Sequence, residues 1–437
     1  MGRSRGFDGP TRQEARPARK ILAVDFEVFG HHPAYVQNIA DVWVGANIEG
    51  SIDFLLSQKF SKVHPDTVNH LAQLDSSKIR MRFTSDSEEA MLSKPGRRYW
   101  NGWKIFCKHA LESGAHHGLL LYLDPLQVAL WLGQKSPISL SAIYFRPTFH
   151  YPSYHGYRWS MKDSLVSLRK KFLLQRILNK PELRELLSLD ATAVPYIRDH
   201  FRTNTRISHF PDTFAREHRS AEEIALLRQE LGIEPGRLVF CMIGILDERK
   251  GPFQLLDSIQ YLPDQVRSNI CILLVGRPTD SLREKLVQAV ETLKSNSTAQ
   301  VILRGKYVSP SQVQSYYTLS DVMLTTYQFH KGSSSALIRA AYEKKPVLSS
   351  NYGWLGHMVR THRMGVEIDS SNPRDIAKGI ERFATSDPNS LFDSELGAQL
   401  AKDNSQDQMA LDLAAMLNHG ADTSAADVEN VSNAGAR

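Results

Sequence analysis

The chain has 437 residues, 42% of them hydrophobic and 23% charged, and a net charge of +6. Its length suits two domains with two buried cores, and its composition is that of an ordinary globular protein. No apolar run approaches the roughly 18 residues a membrane-crossing helix needs, and no zinc-finger, RRM or KH pattern points to nucleic acid.

Residues 1–19 are basic and polar and lack the apolar centre of a secretory signal, so a disordered lead is expected there. The first strand is predicted at 20–28, KILAVDFEV. It ends at Gly30-His31-His32-Pro33, and a helix follows with Pro33 in its first turn, a Rossmann-like opening. Further strands are predicted at 51–57, 78–84, 118–124 and 140–151, the last running into an aromatic loop. Strands at 187–195 and 206–212 complete a first domain, 20–204, with a linker near 204–222.

The second domain, 205–404, carries the clearest pattern. A strand at Leu238–Ile243 enters a turn with Lys250 and Gly251. NICILLVGRP is broken by Gly276 and AQVILRGKY by Gly305; SDVMLTT leads through HKGSSS into the helical ALIRAAYEKK, and PVLSS begins a fifth strand. Short apolar runs alternating with helical stretches (219–231, 281–294, 374–384) predict a parallel sheet with crossover helices. Residues 405–418 make a last helix, and 419–437 lack any apolar period, so a disordered tail is expected. Cys107, Cys241 and Cys271 show no metal or disulfide spacing; the latter two fall inside expected strands as small hydrophobes. A reducing cytoplasm is the expected location, with peripheral contact at the inner membrane face as the alternative.

Ligands of such sheets bind at the carboxyl ends of the strands, where Lys250, the Gly276 turn and Ser333-Ser334-Ser335 converge. A cation beside a glycine–hydroxyl turn that opens a helix suits a phosphate. Plain N-capping by Ser333 or Ser334 is the simpler reading, but it needs only one serine.

The order of these pieces resembles glycosyltransferase family 4: Lys-Gly turn, strand ending in Val-Gly, strand ending in Arg-Gly, Ser-Asp-Val strand, helix, Pro-Val strand. The resemblance is closest over 205–385 and looser over 20–204. It implies an α/β protein of two Rossmann-like domains facing a central cleft (GT-B), with the last helix crossing back to the first domain. It also implies a nucleotide-sugar donor, retention of configuration, and no metal or cofactor. Lys250 and Gly244 correspond to the family's diphosphate-binding turn. The arginine that often follows the strand-end glycine is Ile245 here, so that cation is missing or displaced to Arg249. The family's paired glutamates, the second of which holds the donor ribose, correspond to Lys331 and Arg339. Gly332 and the serine run stand beside them, and Gly353-Trp354-Leu355-Gly356 matches a glycine turn that faces the sugar or diphosphate.

In the first domain, Gly30 and His31 resemble the turn below the donor phosphates, with His32 and Arg146 placed toward the acceptor and His150 toward the transferred sugar. A loop histidine pair without a ligand is the competing reading of His31 and His32; no third ligand accompanies them, so metal is rejected. Asp124 is read as a cap for the helix that follows it. Tyr144, Phe149, Tyr151, Tyr154, Tyr157 and Trp159 surround His150 and His155 and suit either sugar stacking or a lipid interface. The basic stretch 158–180 is read as a solvated helix packed on the sheet, with peripheral membrane contact as the alternative. The expected acceptor is a glycan, a lipid-linked carrier or a small molecule. No nucleophilic carboxylate stands out, which favours a mechanism through the diphosphate over double displacement. Since both glutamates and the arginine are replaced, a catalytically silent GT-B scaffold is the rival reading.

Overall fold

The structure, a computed structural model, describes residues 19–154, 157, 160–214 and 219–417. Most of the expected lead, the expected tail, His155, Arg158 and Trp159 lie outside the described residues.

The first sheet has seven parallel strands: β1 (Lys20–Asp25), β2 (Ser51–Leu56), β3 (Ile79–Phe83), β4 (His117–Leu120), β5 (Ser139–Tyr144), β6 (Leu183–Ser188) and β7 (Arg206–His209). Their order is β3-β2-β1-β4-β5-β6-β7, so the direction of winding reverses between β1 and β4. The second sheet has six: β8 (Leu238–Ile243), β9 (Ile270–Val275), β10 (Gln300–Arg304), β11 (Val322–Thr325), β12 (Val347–Ser350) and β13 (Gly365–Ile368). Their order is β10-β9-β8-β11-β12-β13, with the reversal between β8 and β11. Central strands such as β1, β8 and β9 are near-continuous apolar runs because helices cover both faces of each sheet. Each sheet accordingly separates two apolar clusters, one per face.

Several predicted strands are shortened where polar groups take over the backbone. β1 stops at Asp25 rather than 28, since the Asp25 carboxylate accepts the Glu27 N–H at 2.9 Å and turns the chain. The strand predicted at 140–151 stops at Tyr144, and Thr148–Ser153 coils as a 3-10 turn. The segment 187–195 is strand only to Ser188; an Asp190–Thr192 turn then starts the helix Ala193–His200. β13, sequence GVEI, is an additional edge strand.

A helix at 406–417 places Met409, Leu413, Met416 and Leu417 in the apolar cluster of Ile21, Trp43 and Leu119, on the first sheet. Among the described residues no helix is long and apolar enough to cross a membrane.

Candidate active site

In each sheet the reversal of winding leaves a crevice at the carboxyl ends of the strands. In the second domain that crevice lies between β8 and β11. β8 leaves the sheet at Gly244, whose φ of 106° suits glycine. A Cβ there would sit 2.9 Å from Lys250 Nζ, so the glycine lets the ammonium approach the strand end. At Gly276 the constraint is backbone contact, since a Cβ would lie 2.1 Å from Gly244 O; its bareness lets two strand ends meet. Asp247 caps the short turn Glu248–Lys250 and accepts the Lys250 N–H at 3.1 Å.

Lys250 is only 5% exposed. Its Nζ donates to Ile243 O and lies 5.3 Å from the centroid of the Tyr327 ring, just beyond β11. Arg249 shares that ring from 5.1 Å and pairs with Asp247 at 3.5 Å. No carboxylate pairs with Lys250 among the described residues. A buried ammonium held by a carbonyl and a ring face remains short of compensating charge, and an anion is what supplies it.

The serine run completes this side. Ser334 occupies the N-cap of the helix Ser335–Tyr342, yet its side chain makes no capping bond. Neither the Ser333 nor the Ser335 hydroxyl has a hydrogen-bond partner among the described residues, so N-capping does not account for the run. The first N–H groups of the helix point outward with its positive dipole end. Gly332, at φ 115°, has open space where a Cβ would stand. His330 lies between the serines and the cations: its Nδ1 is 3.4 Å from Arg249 Nη1 and its Nε2 is 3.3 Å from Ser333 O. Burial, with Arg249, Arg146 and Lys250 nearby, lowers its pKa to about 4, so the ring is neutral near pH 7.

The opposing wall is the β1–β4 reversal of the first sheet. Gly30, at φ 83°, reverses the chain after β1 and brings His32 back over Asp25. His32 Nδ1 lies 2.6 Å from Asp25 Oδ2, and both residues are buried. Burial raises the Asp25 carboxyl, against the lowering pull of His32. His31 stacks on Phe145 and on His32, each at 4.6 Å between centroids. Crowding by the protein, with His32 and Arg146 close, lowers the His31 pKa to about 3, although the ring keeps an open edge. Arg146, exposed beyond β5, acts electrostatically on both His31 and His330, which brings the two crevices together across one cleft.

Four residues fall in other places than the sequence reading put them. Asp124 is buried and accepts the N–H groups of Phe145 at 2.8 Å and Arg146 at 3.1 Å; it fixes the exit of β5 and does not cap the next helix. His150 is 3% exposed, with Nε2 3.1 Å from Thr192 Oγ1 and 3.2 Å from Asp190 Oδ2, so its ring is engaged by the turn that follows β6. Arg339 lies 3.8 Å over the Phe214 ring and so packs on the linker. At Gly353 a Cβ would sit 3.1 Å from His330 O and touch Tyr151 and Tyr157. That glycine belongs to a joint between the domains, where Tyr154 stacks on His357 at 4.2 Å and Tyr157 on Tyr352 at 4.7 Å. Lys331 adds an ion pair to Asp163 across the same joint. The aromatic loop therefore serves domain contact. Asp25 went unread because one carboxylate ending an apolar strand has no spacing signature. Among the described residues no cluster of three or more His, Cys, Asp or Glu could hold a metal ion.

Residues 223–402 match the family Glycosyl transferases group 1. The putative glycosyltransferase YtcC of Bacillus subtilis is 22% identical over 225 residues, 51% of this chain and 52% of that protein. A D-inositol 3-phosphate glycosyltransferase of Streptomyces bingchenggensis is 24% identical over 184 residues, 41% of this chain and 40% of that one. The chain thus spans about half, or less, of the length of these curated relatives. Among solved structures, Anabaena Alr3699/HepE in complex with UDP and glucose superposes with a TM-score of 0.61 at 14% identity, covering 92% of this chain and 99% of that one. Sucrose-phosphate synthase from Thermosynechococcus elongatus does so with 0.62 at 14%, covering 92% and 98%. The fold is GT-B.

Proposed function

For a chain of GT-B fold whose residues 223–402 match the glycosyl transferases group 1, we propose transfer of a sugar from a nucleotide-diphosphate donor to a glycan, lipid-linked or small-molecule acceptor. The reading includes retention at the anomeric carbon and no metal ion. One observation carries it: a buried Lys250 with no carboxylate partner among the described residues lies near His330, which adjoins a helix start whose N-cap serine makes no capping bond. Lys250, Arg249, Gly244 and the serine turn hold the diphosphate. As the acceptor oxygen bonds the anomeric carbon, the bond from that carbon to the diphosphate oxygen breaks. The electron pair leaves on the diphosphate, which takes the acceptor proton. Losing one well-placed donor to that developing charge costs about 10²–10³ in rate. Gly30 and neutral His31 close the phosphate site from the first domain, and His32 and Arg146 face the acceptor. The complexes of Anabaena HepE with UDP and with UDP-glucose support a uridine donor.

The rival reading, a silent GT-B scaffold, is favoured by Arg339, which stands at a glutamate position and packs on Phe214. Proton NMR of UDP-, GDP- and ADP-sugars incubated with the protein and a panel of sugar acceptors separates the two. Consumption of one donor, with the product anomer matching the donor anomer, is expected. Nucleotide binding with no donor consumed leaves the scaffold.

A further inference from the structure

The helix Met161–Leu178 is apolar on two opposite faces. Leu173, Leu174, Ile177 and Leu178 face the first-domain core. At about 100° per residue, Met161, Leu165, Leu168 and Phe172 align on the far side. They are exposed by 87%, 69%, 68% and 46%. Trp131 meets Phe172 edge-on at 5.3 Å, and its helix adds exposed Val128 and Leu132 to the patch. Cations flank the stripe: Arg176 lies 4.9 Å over the Phe172 ring, and Lys162 and Arg169 form no ion pair among the described residues. The helix has one acid, Asp163, which is taken up by Lys331.

We propose that this face lies on an anionic lipid surface, with the stripe in the acyl boundary and the cations at the headgroups. Charge decides the occupant. A second copy seated symmetrically on the stripe would set these cations against themselves, whereas anionic headgroups compensate them. Position gives the face its purpose. Lys170 of the same helix donates to Arg146 O at 2.8 Å, and Asp163 reaches Lys331 of the second domain, so the helix borders the cleft. Lipid contact there brings a lipid-linked acceptor to the cleft mouth. The purpose, though not the contact itself, rests on the transferase reading.

The test is co-sedimentation of the full chain with vesicles of phosphatidylcholine alone and of phosphatidylcholine mixed with phosphatidylglycerol. Expected is binding to the mixed vesicles, weakened by salt. Leu165→Gln combined with Leu168→Gln abolishes it, and Lys162→Gln and Arg169→Gln weaken it by about fivefold each. These surface variants keep the nucleotide-induced thermal shift of the wild type. Equal binding to both vesicle types, or to neither, overturns the proposal; so does a concentration-dependent dimer that the leucine variant dissolves. If vesicles bind while no nucleotide shifts the melting temperature, the lipid face stands and the transferase reading falls.

Discussion

His32 Nδ1 sits 2.6 Å from Asp25 Oδ2 at the winding reversal of the first sheet. Asp25 also accepts the Glu27 N–H, so its carboxylate takes the Nδ1–H of His32 and fixes the ring that the proposed reading sets against the acceptor. His32→Gln therefore raises the acceptor KM by about tenfold or more, the loss of one hydrogen bond of 1.5–3 kcal/mol. The nucleotide-induced thermal shift stays. Asp25→Asn gives the same kinetic pattern with a lower melting temperature, because it breaks a buried pair. Acceptor-dependent kinetics beside thermal shifts check both.

Ser334 stands at an N-cap without making the bond. Ser334→Ala therefore costs less than the ~1 kcal/mol of an ordinary cap. Its effect appears in ligand binding, which weakens by about tenfold for one lost charge-assisted hydrogen bond. Denaturant unfolding and nucleotide titration of the same variant separate the two quantities.

Gly276→Ala and Gly332→Ala both force an unfavourable φ, but only the first forces a clash. Its Cβ would meet the Gly244 carbonyl, while that of Gly332 meets open space. The first variant unfolds at clearly lower temperature and loses nucleotide binding, since Gly244 frames Lys250. The second costs about 1–3 kcal/mol of backbone strain. Thermal melts with and without nucleotide distinguish them.

The helix at 406–417 carries Asp412, whose carboxyl is pushed up to about 6 by burial and by Glu185, against Gln408 and Arg206. An acid with a raised folded pKa favours the fold while protonated. This contribution is complete below the ordinary value of 3.8 and is lost as pH rises through about 6. Asp412→Asn consequently raises the melting temperature at pH 7 and leaves it little changed below pH 4. Melts across that window read the difference.

The strands of the second sheet were legible because both of their faces are buried, and Leu238–Ile243 matches its predicted bounds. β13 escaped because GVEI turns Glu367 outward to Arg360 and never forms an apolar run. The Lys250 turn and the serine run were legible from a cation and a helix start at strand ends. The burial of His150 was not, since the folding of its loop into the domain joint depends on Tyr352 and His357, far along the chain. The helix Met161–Leu178 packs one face on the first domain as the sequence suggested, but its second, exposed apolar face was not legible, because two opposed apolar faces cancel the one-sided pattern by which an amphipathic helix is read.

Thermal melting with UDP, GDP, ADP and their sugars, on the wild type and Lys250→Ala together, tests the diphosphate site most directly. At 100 times its dissociation constant a nucleotide adds about 2.7 kcal/mol. One nucleotide stabilising the wild type and failing on a folded Lys250→Ala is the predicted result. Equal stabilisation of both proteins, or none of either, contradicts the site.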